Sequence, residues 1–349
     1  MKLILSAVVL SYILASCSSE TPSTPEEPAV YDATPYVINT KGLPPPPPMP
    51  ADNPLTVQGV KLGEMLFNEK MLSKDNSQRC ASCHVEEDAF SDTRRFSIGV
   101  EGLPGKRQAM SVFNMAYHRP GFFWDGRART LREQALMPIQ DPLEMNETLP
   151  NVVAKLQASK TYRDQFIRAF NTDTITSARI GLALEQFMLS IFSGNSKWDK
   201  VQRGEATFTP SEERGRQLFF TEVDPPRGIV GGECFHCHGG PNFSNSAFMN
   251  NGLDTDASMT DLGVYAVSGN TRDKGRFKVT SLRNIALTPP YMHDGRFATL
   301  EEVIDHYNTG VKPSSTVEPL LQFNLRPGGL GLSEQDKADL VAFLRALTE

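Results

Sequence analysis

The sequence predicts a mainly α-helical protein of two domains related by an internal duplication. Three observations predict it. The pentad Cys80-Ala81-Ser82-Cys83-His84 recurs as Cys234-Phe235-His236-Cys237-His238. The residues around the two pentads recur in the same order. The apolar residues between them fall at helical spacing, and no run of alternating strand pattern is present.

The pentads carry the chemistry. Cys-x-x-Cys-His is the attachment site of a c-type haem: the thiols add to the two vinyl groups and the His reaches the iron. A zinc site would need four converging ligands, and a thioredoxin-like motif needs no His after the second Cys. Two covalent haems are therefore expected, one on Cys80, Cys83 and His84, the other on Cys234, Cys237 and His238. Of the five cysteines only Cys17 is left over, so no structural disulfide is expected.

The duplication runs through the chain. Gly63-x-x-Leu66-Phe67 ends thirteen residues before Cys80, and Gly215-x-x-Leu218-Phe219 ends fifteen before Cys234. Ser111-x-x-Asn114-x-Ala116 matches Ser281-x-x-Asn284-x-Ala286. Asp125-Gly126-Arg127-x-x-Thr130-Leu131-x-Glu133 matches Asp294-Gly295-Arg296-x-x-Thr299-Leu300-x-Glu302. One haem-binding module is used twice, each a cytochrome-c-like helical domain with long loops. Helices are expected over Val57–Phe67 and over 174–192, where Ile180, Leu184, Phe187, Met188 and Ile191 form one face. Ser333-x-x-Asp336 reads as a capping box before a helix that buries Leu340, Phe343, Leu344 and Leu347. The domains are expected at 53–200 and 201–349, with the junction between Gly194 and Pro210.

The first seventeen residues read as a signal peptide: Lys2, an apolar run from Leu3 to Leu14, then small residues. Leu14-Ala15-Ser16-Cys17 resembles a bacterial lipobox, with Cys17 as the lipidated residue, against ordinary cleavage near Ala15 or Ser16 as the alternative. Ser18 in place of Asp points to the outer membrane of a Gram-negative bacterium. The protein is thus expected to be exported, to face the periplasm and to meet the membrane through its lipid anchor only. Residues 18–52 are rich in Ser, Thr, Pro and Glu and end in Pro44 to Pro48, a composition expected to form a disordered, partly stiff tether. The net charge of −6 and the lack of a basic stripe give no sign of nucleic-acid binding.

The modules differ where the chemistry should lie. With Asp125 laid on Asp294, Trp124 falls on His293, Gln134 on Val303 and Pro138 on Tyr307. A phenolate can ligate iron and a proline cannot, so the second haem reads as closed and the first as open to peroxide or another small ligand. Gln134 and, ten residues on, Glu144 stand beside the open one. Arg107, Arg127, Arg283 and Arg296 are candidates to pair with haem propionates. His118, His236 and His306 read as surface or outer groups rather than ligands.

Phe123-Trp124-Asp125-Gly126-Arg127, Gln134-Ala135-x-x-Pro138-Ile139, Glu144-Met145, Leu282-Arg283-Asn284 and Pro290-Tyr291-Met292-His293-Asp294-Gly295 resemble the bacterial dihaem cytochrome c peroxidases and MauG, over roughly residues 44–348. The resemblance implies an N-terminal haem that meets peroxide, a C-terminal haem that relays electrons and Trp124 between them. It makes Glu144 the acid/base and Gln134 the amide that orients peroxide. Tyr307 as second-haem ligand is the MauG residue, where peroxidases carry Met; Met292 reads as packing and His293 as structural. Val100 stands where reductively activated relatives carry a distal His. One calcium ion between the domains is implied, on the carbonyls of Thr288 and Pro290 and a side chain that is Gln108 here instead of Asn.

The function expected is reduction of hydrogen peroxide with electrons from a small cytochrome or cupredoxin. A second reading spends the oxidising power on side chains of a partner protein, as MauG does. A third, a dihaem electron carrier without turnover, sits badly with Pro138 and Glu144. A homodimer is compatible with the sequence and not required by it.

Overall fold

Glycine sets the helix pairing in both halves. Helices α1 (Val57–Phe67), α2 (Leu131–Gln140), α3 (Leu149–Ala158), α4 (Lys160–Phe170) and α5 (Ser177–Ser190) form the first half. Helices α6 (Lys197–Gln202), α7 (Pro210–Phe219), α8 (Tyr265–Ser268), α9 (Leu300–Asp305) and α10 (Glu334–Arg345) follow. A Cβ on Gly63 would lie 2.0 Å from the Ala183 carbonyl in α5, and one on Gly215 would lie 1.9 Å from the Asp339 carbonyl in α10. The recurring Gly-x-x-Leu-Phe is therefore a crossing at backbone contact. It sinks Leu66, Phe67 and Phe219 to 3% exposure or less.

The architecture comes from a computed structural model that describes residues 28–119 and 121–349. The signal peptide, Cys17 and residues 18–27 lie outside the described residues. Two short strands, β1 (Phe248–Met249) and β2 (Phe277–Lys278), pair antiparallel with Phe248 opposite Lys278. Among the described residues no helix is long and apolar enough to cross a membrane.

The repeat seen in sequence is a repeat in space. Thr130 and Thr299 accept hydrogen bonds from the backbones of Glu133 and Glu302, whose carboxylates reach back, so α2 and α9 start on the same capping box. Ser333 and Asp336 form the expected box at α10, with Asp doing what Glu usually does. Asn114 and Asn284 both adopt the left-handed conformation, φ 53° and 54°, that asparagine tolerates better than most residues. Each donates its backbone N–H to a terminal segment of its own half: Asn114 to Ile191 and Asn284 to Leu347.

The core divides into two apolar clusters, one around Leu62, Phe166 and Ile180, the other around Phe219, Phe343 and Leu347. Trp198, assigned from the sequence to the first domain, packs on the second cluster, 5.3 Å from Phe243 and 5.7 Å from Phe343 between ring centroids. Its neighbour Asp199 pairs with Arg283. An aromatic ring takes the core that buries it, so the change of cluster comes before α6, ahead of the 200/201 boundary.

The proline-rich stretch also departs from expectation. From Asp32 onward it is a strap on the protein surface. Asp32 donates its N–H to Arg168, Pro35 bridges to Thr56, and Leu43 is buried. The Tyr117 hydroxyl donates to the Pro44 carbonyl, and Lys41 pairs with Glu349 at 2.6 Å. Proline lacks an N–H but keeps its carbonyl, and its fixed φ lowers the entropy lost on docking. Composition showed that this stretch has no core of its own; it could not show that another core accepts it.

Candidate active site

Each attachment pentad folds into a tight turn. The His84 N–H donates to the Cys80 carbonyl at 3.0 Å, and the His238 N–H to Cys234 at 2.8 Å. The His84 ring sets Nδ1 3.0 Å from the Phe90 carbonyl, and the His238 ring sets Nδ1 3.1 Å from Phe243. A carbonyl can only accept, so Nδ1 carries the proton in both rings and Nε2 keeps its lone pair for a metal. None of the four pentad cysteines is paired in a disulfide. Phe67 lies beside His84, with Phe90 and Phe187 next to it, and Cys234, Cys237 and His238 line a cavity with Leu282, Ile304 and Tyr307. Two thiols, one free imidazole nitrogen and an apolar wall fit a c-type haem in each half.

The two halves diverge at the position where Pro138 is matched by Tyr307. Pro138 lies inside α2, where it offers no donor atom. In the second half α9 runs into a π turn, His306–Gly310, the wider helix that recurs at functional sites. Tyr307 on that turn lines the cavity, and burial pushes its phenol up to about 12. Asn251 donates through Nδ2 to the Tyr307 hydroxyl at 3.4 Å and approaches Met292 Sδ at 3.3 Å. Asn251 was not found from the sequence; nothing local marks it. His306 is buried, with Nε2 3.0 Å from the Asn251 carbonyl, and so buttresses the same wall.

Glu144 is held by its backbone on both sides. Its N–H donates to Asp141, and its carbonyl accepts from Val100 at 2.8 Å. A Cβ on Gly99 would lie 2.2 Å from the Leu143 carbonyl, so the Val100 loop closes tightly on the Glu144 turn. The Glu144 side chain is half-buried. Burial, then the charge of Asp141, raises its carboxyl to about 7, against the opposing pull of Arg127. Its charge is felt by the thiols of both Cys80 and Cys83, so the carboxyl is within electrostatic reach of the first attachment site. Gln134 lies one turn before Pro138 on α2, half-buried on the same helix.

Trp124 joins the halves. Its indole N–H donates to the Gln108 carbonyl at 2.8 Å, and its own carbonyl accepts from Lys278 in β2 at 2.8 Å. The ring lines the second cavity and stands edge-on to His293 at 6.4 Å; His293 stacks on Phe277 at 3.6 Å and 9°. His118 lines this cavity too, and burial takes its imidazole down to about 4. Gln108, 7% exposed, donates its amide to Asp92 and leaves Oε1 unused; Thr288 and Pro290 line the cavity with it. The four arginines picked out as propionate partners are already engaged by carboxylates. Arg107 holds Asp125 and Asp261, Arg127 holds Asp125, Arg283 holds Asp199, and Arg296 holds Asp254 and Asp294.

Comparison with known proteins bears on the family and the fold. The model of the family described as di-haem cytochrome c peroxidase matches residues 57–207. The chain is 33% identical to the methylamine utilization protein MauG of Methylophilus methylotrophus, over 86% of this chain and 85% of that protein. It is also 33% identical to the cytochrome c551 peroxidase of Nitrosomonas europaea, over 86% of this chain and 83% of that one. A solved structure of a MauG-like protein associated with microbial copper homeostasis superimposes with a TM-score of 0.79 at 35% identity, covering 88% of this chain and 94% of the other.

Proposed function

Because this chain belongs to the dihaem cytochrome c peroxidase family, in which MauG also falls, we propose that it reduces hydrogen peroxide to water at the module of His84, and that Glu144 is the acid/base. One observation carries the assignment: a half-buried carboxyl raised to about 7 acts on the thiols of the first attachment site, in the half whose α2 carries Pro138 where the second half carries Tyr307. When bound, the haems supply the two electrons consumed as peroxide and two protons become two waters. The Glu144 carboxylate takes a proton from one peroxide oxygen and hands it to the other, which leaves as water. The Gln134 amide orients the peroxide by hydrogen bonding. The Val100 loop, closed on the Glu144 backbone, keeps the carboxyl out of bulk water. Trp124 lies on the route between the modules. Turnover of peroxide with a reduced small cytochrome or cupredoxin tests the reading; no turnover with any such donor would overturn it.

The second reading, oxidation of a partner protein's side chains, draws on Tyr307 at the second cavity, the residue MauG carries. It predicts a covalent change in a partner on adding peroxide, with slow consumption of ordinary donors. A calcium ion between the halves belongs to the proposal. Gln108 Oε1 and the carbonyls of Thr288 and Pro290 accept no hydrogen bond among the described residues, and neutral oxygens suit calcium. Calorimetric titration with calcium tests it, and an absence of binding heat counts against it. Export, with Cys17 lipidated and an outer-membrane location facing the periplasm, completes the reading. Palmitate labelling of the cell-expressed protein, lost in Cys17→Ser, tests the anchor.

A further inference from the structure

Lys278 is the single Lys or Arg among the residues lining the His238 cavity, and it is 3% exposed. An ammonium has three protons to donate. Two go to the carbonyls of Arg119 and Ser246, at 3.2 and 3.3 Å, both long for a charged donor. The charge also stands 4.6 Å from the centre of the Phe248 ring. No carboxylate of the described residues reaches it. Burial pulls the ammonium down to about 8, and the neighbouring titratable group, His118, can add only repulsion. A cation placed in this way needs an anion.

The anion has to come from what fills the cavity. A haem brings two carboxylates of its own, on its propionates. Of the arginines picked out from the sequence, Arg107 pairs with Asp125 and Asp261, Arg283 with Asp199, and Arg296 with Asp254 and Asp294. We propose that the Lys278 ammonium is the counter-ion of a propionate of the haem bound at His238. The proposal rests on haem occupying that cavity and not on peroxide turnover. It also gives β2 a reason to exist. The Lys278 N–H is bonded to the Trp124 carbonyl, so the residue that would grip the second haem is tied to the backbone of the tryptophan between the modules.

Lys278→Met keeps the length of the side chain and removes the charge. Reduction adds negative charge to a haem, so losing a nearby cation lowers the potential of that haem. With two haems attached per chain, Lys278→Met should lower the second haem's midpoint potential more than the first's. It should also shift the second haem's propionate bending band in resonance Raman spectra. Lys278→Arg should bring the potential back toward the natural protein's. A mere packing role would leave the band where it is. If Lys278→Met keeps both haems and changes neither band nor potential, the proposal is wrong. Should Lys278→Met fail to attach the second haem, Lys278→Arg decides alone: a forked guanidinium on a propionate must move the band, and an unmoved band overturns the assignment. Loss of peroxide turnover would not affect either readout.

Discussion

Replacing Glu144 by Gln removes the proton carrier and keeps the shape. General acid–base groups contribute ~10²-fold or more, so at pH 8 the variant should turn over peroxide about a hundredfold more slowly. The structure makes the pH dependence of that ratio calculable. With the carboxyl at about 7, only about a tenth of the natural enzyme carries the base at pH 6, and about a hundredth at pH 5. The natural enzyme should therefore lose about tenfold per unit below pH 7, while Glu144→Gln has no such slope. The gap between them should close from about a hundredfold at pH 8 toward unity at pH 5. The assay is the second-order rate with peroxide from pH 5 to 8, with haem attachment and spectra of the variant first shown to be normal. A gap that stays constant across pH would mean that Glu144 is not the titrating base. Stability gives an independent reading. The folded carboxyl, raised from 4.5, holds its proton more tightly than the unfolded one, so its favourable contribution is complete below about 4.5 and lost as pH rises through about 7. Glu144→Gln should thus raise Tm at pH 8 relative to the natural protein and leave it unchanged at pH 4.

Tyr307→Met should raise the second haem's potential, because thioether favours ferrous and phenolate ferric iron; redox titration with neither potential moved would make Tyr307 a plain cavity-wall residue. The resting ferric protein should react with peroxide without prior reduction, since Val100 has no lone pair to offer and His118 lines the other cavity. A wholly low-spin ferric spectrum, with turnover only after pre-reduction, would refute that. Gly63→Ala and Gly215→Ala should each cost about 1–3 kcal/mol by forcing a helix crossing apart, read from denaturant midpoints. An unchanged midpoint would show that the helices can separate at little cost.

The haem chemistry was legible in one dimension because covalent attachment needs neighbours in the chain. Two thiols and a His must fall within one turn, and the pentads Cys80–His84 and Cys234–His238 state this outright. The repeat made Pro138 and Tyr307 comparable position by position, and the capping box at Ser333 is a local hydrogen-bond pattern that spacing reveals. Other features depend on who meets whom across the fold. Whether Trp198 joins the first core or the second is fixed by which phenylalanines surround it. Whether residues 32–52 drift or dock depends on a surface 100 residues or more away, such as Arg168 and Glu349. Which carboxylates the arginines meet, as Arg283 meets Asp199, also depends on the fold. Nothing local in the sequence marks Lys278, and only the packing around it, which brings two carbonyls and a phenyl ring to one buried ammonium, singles it out.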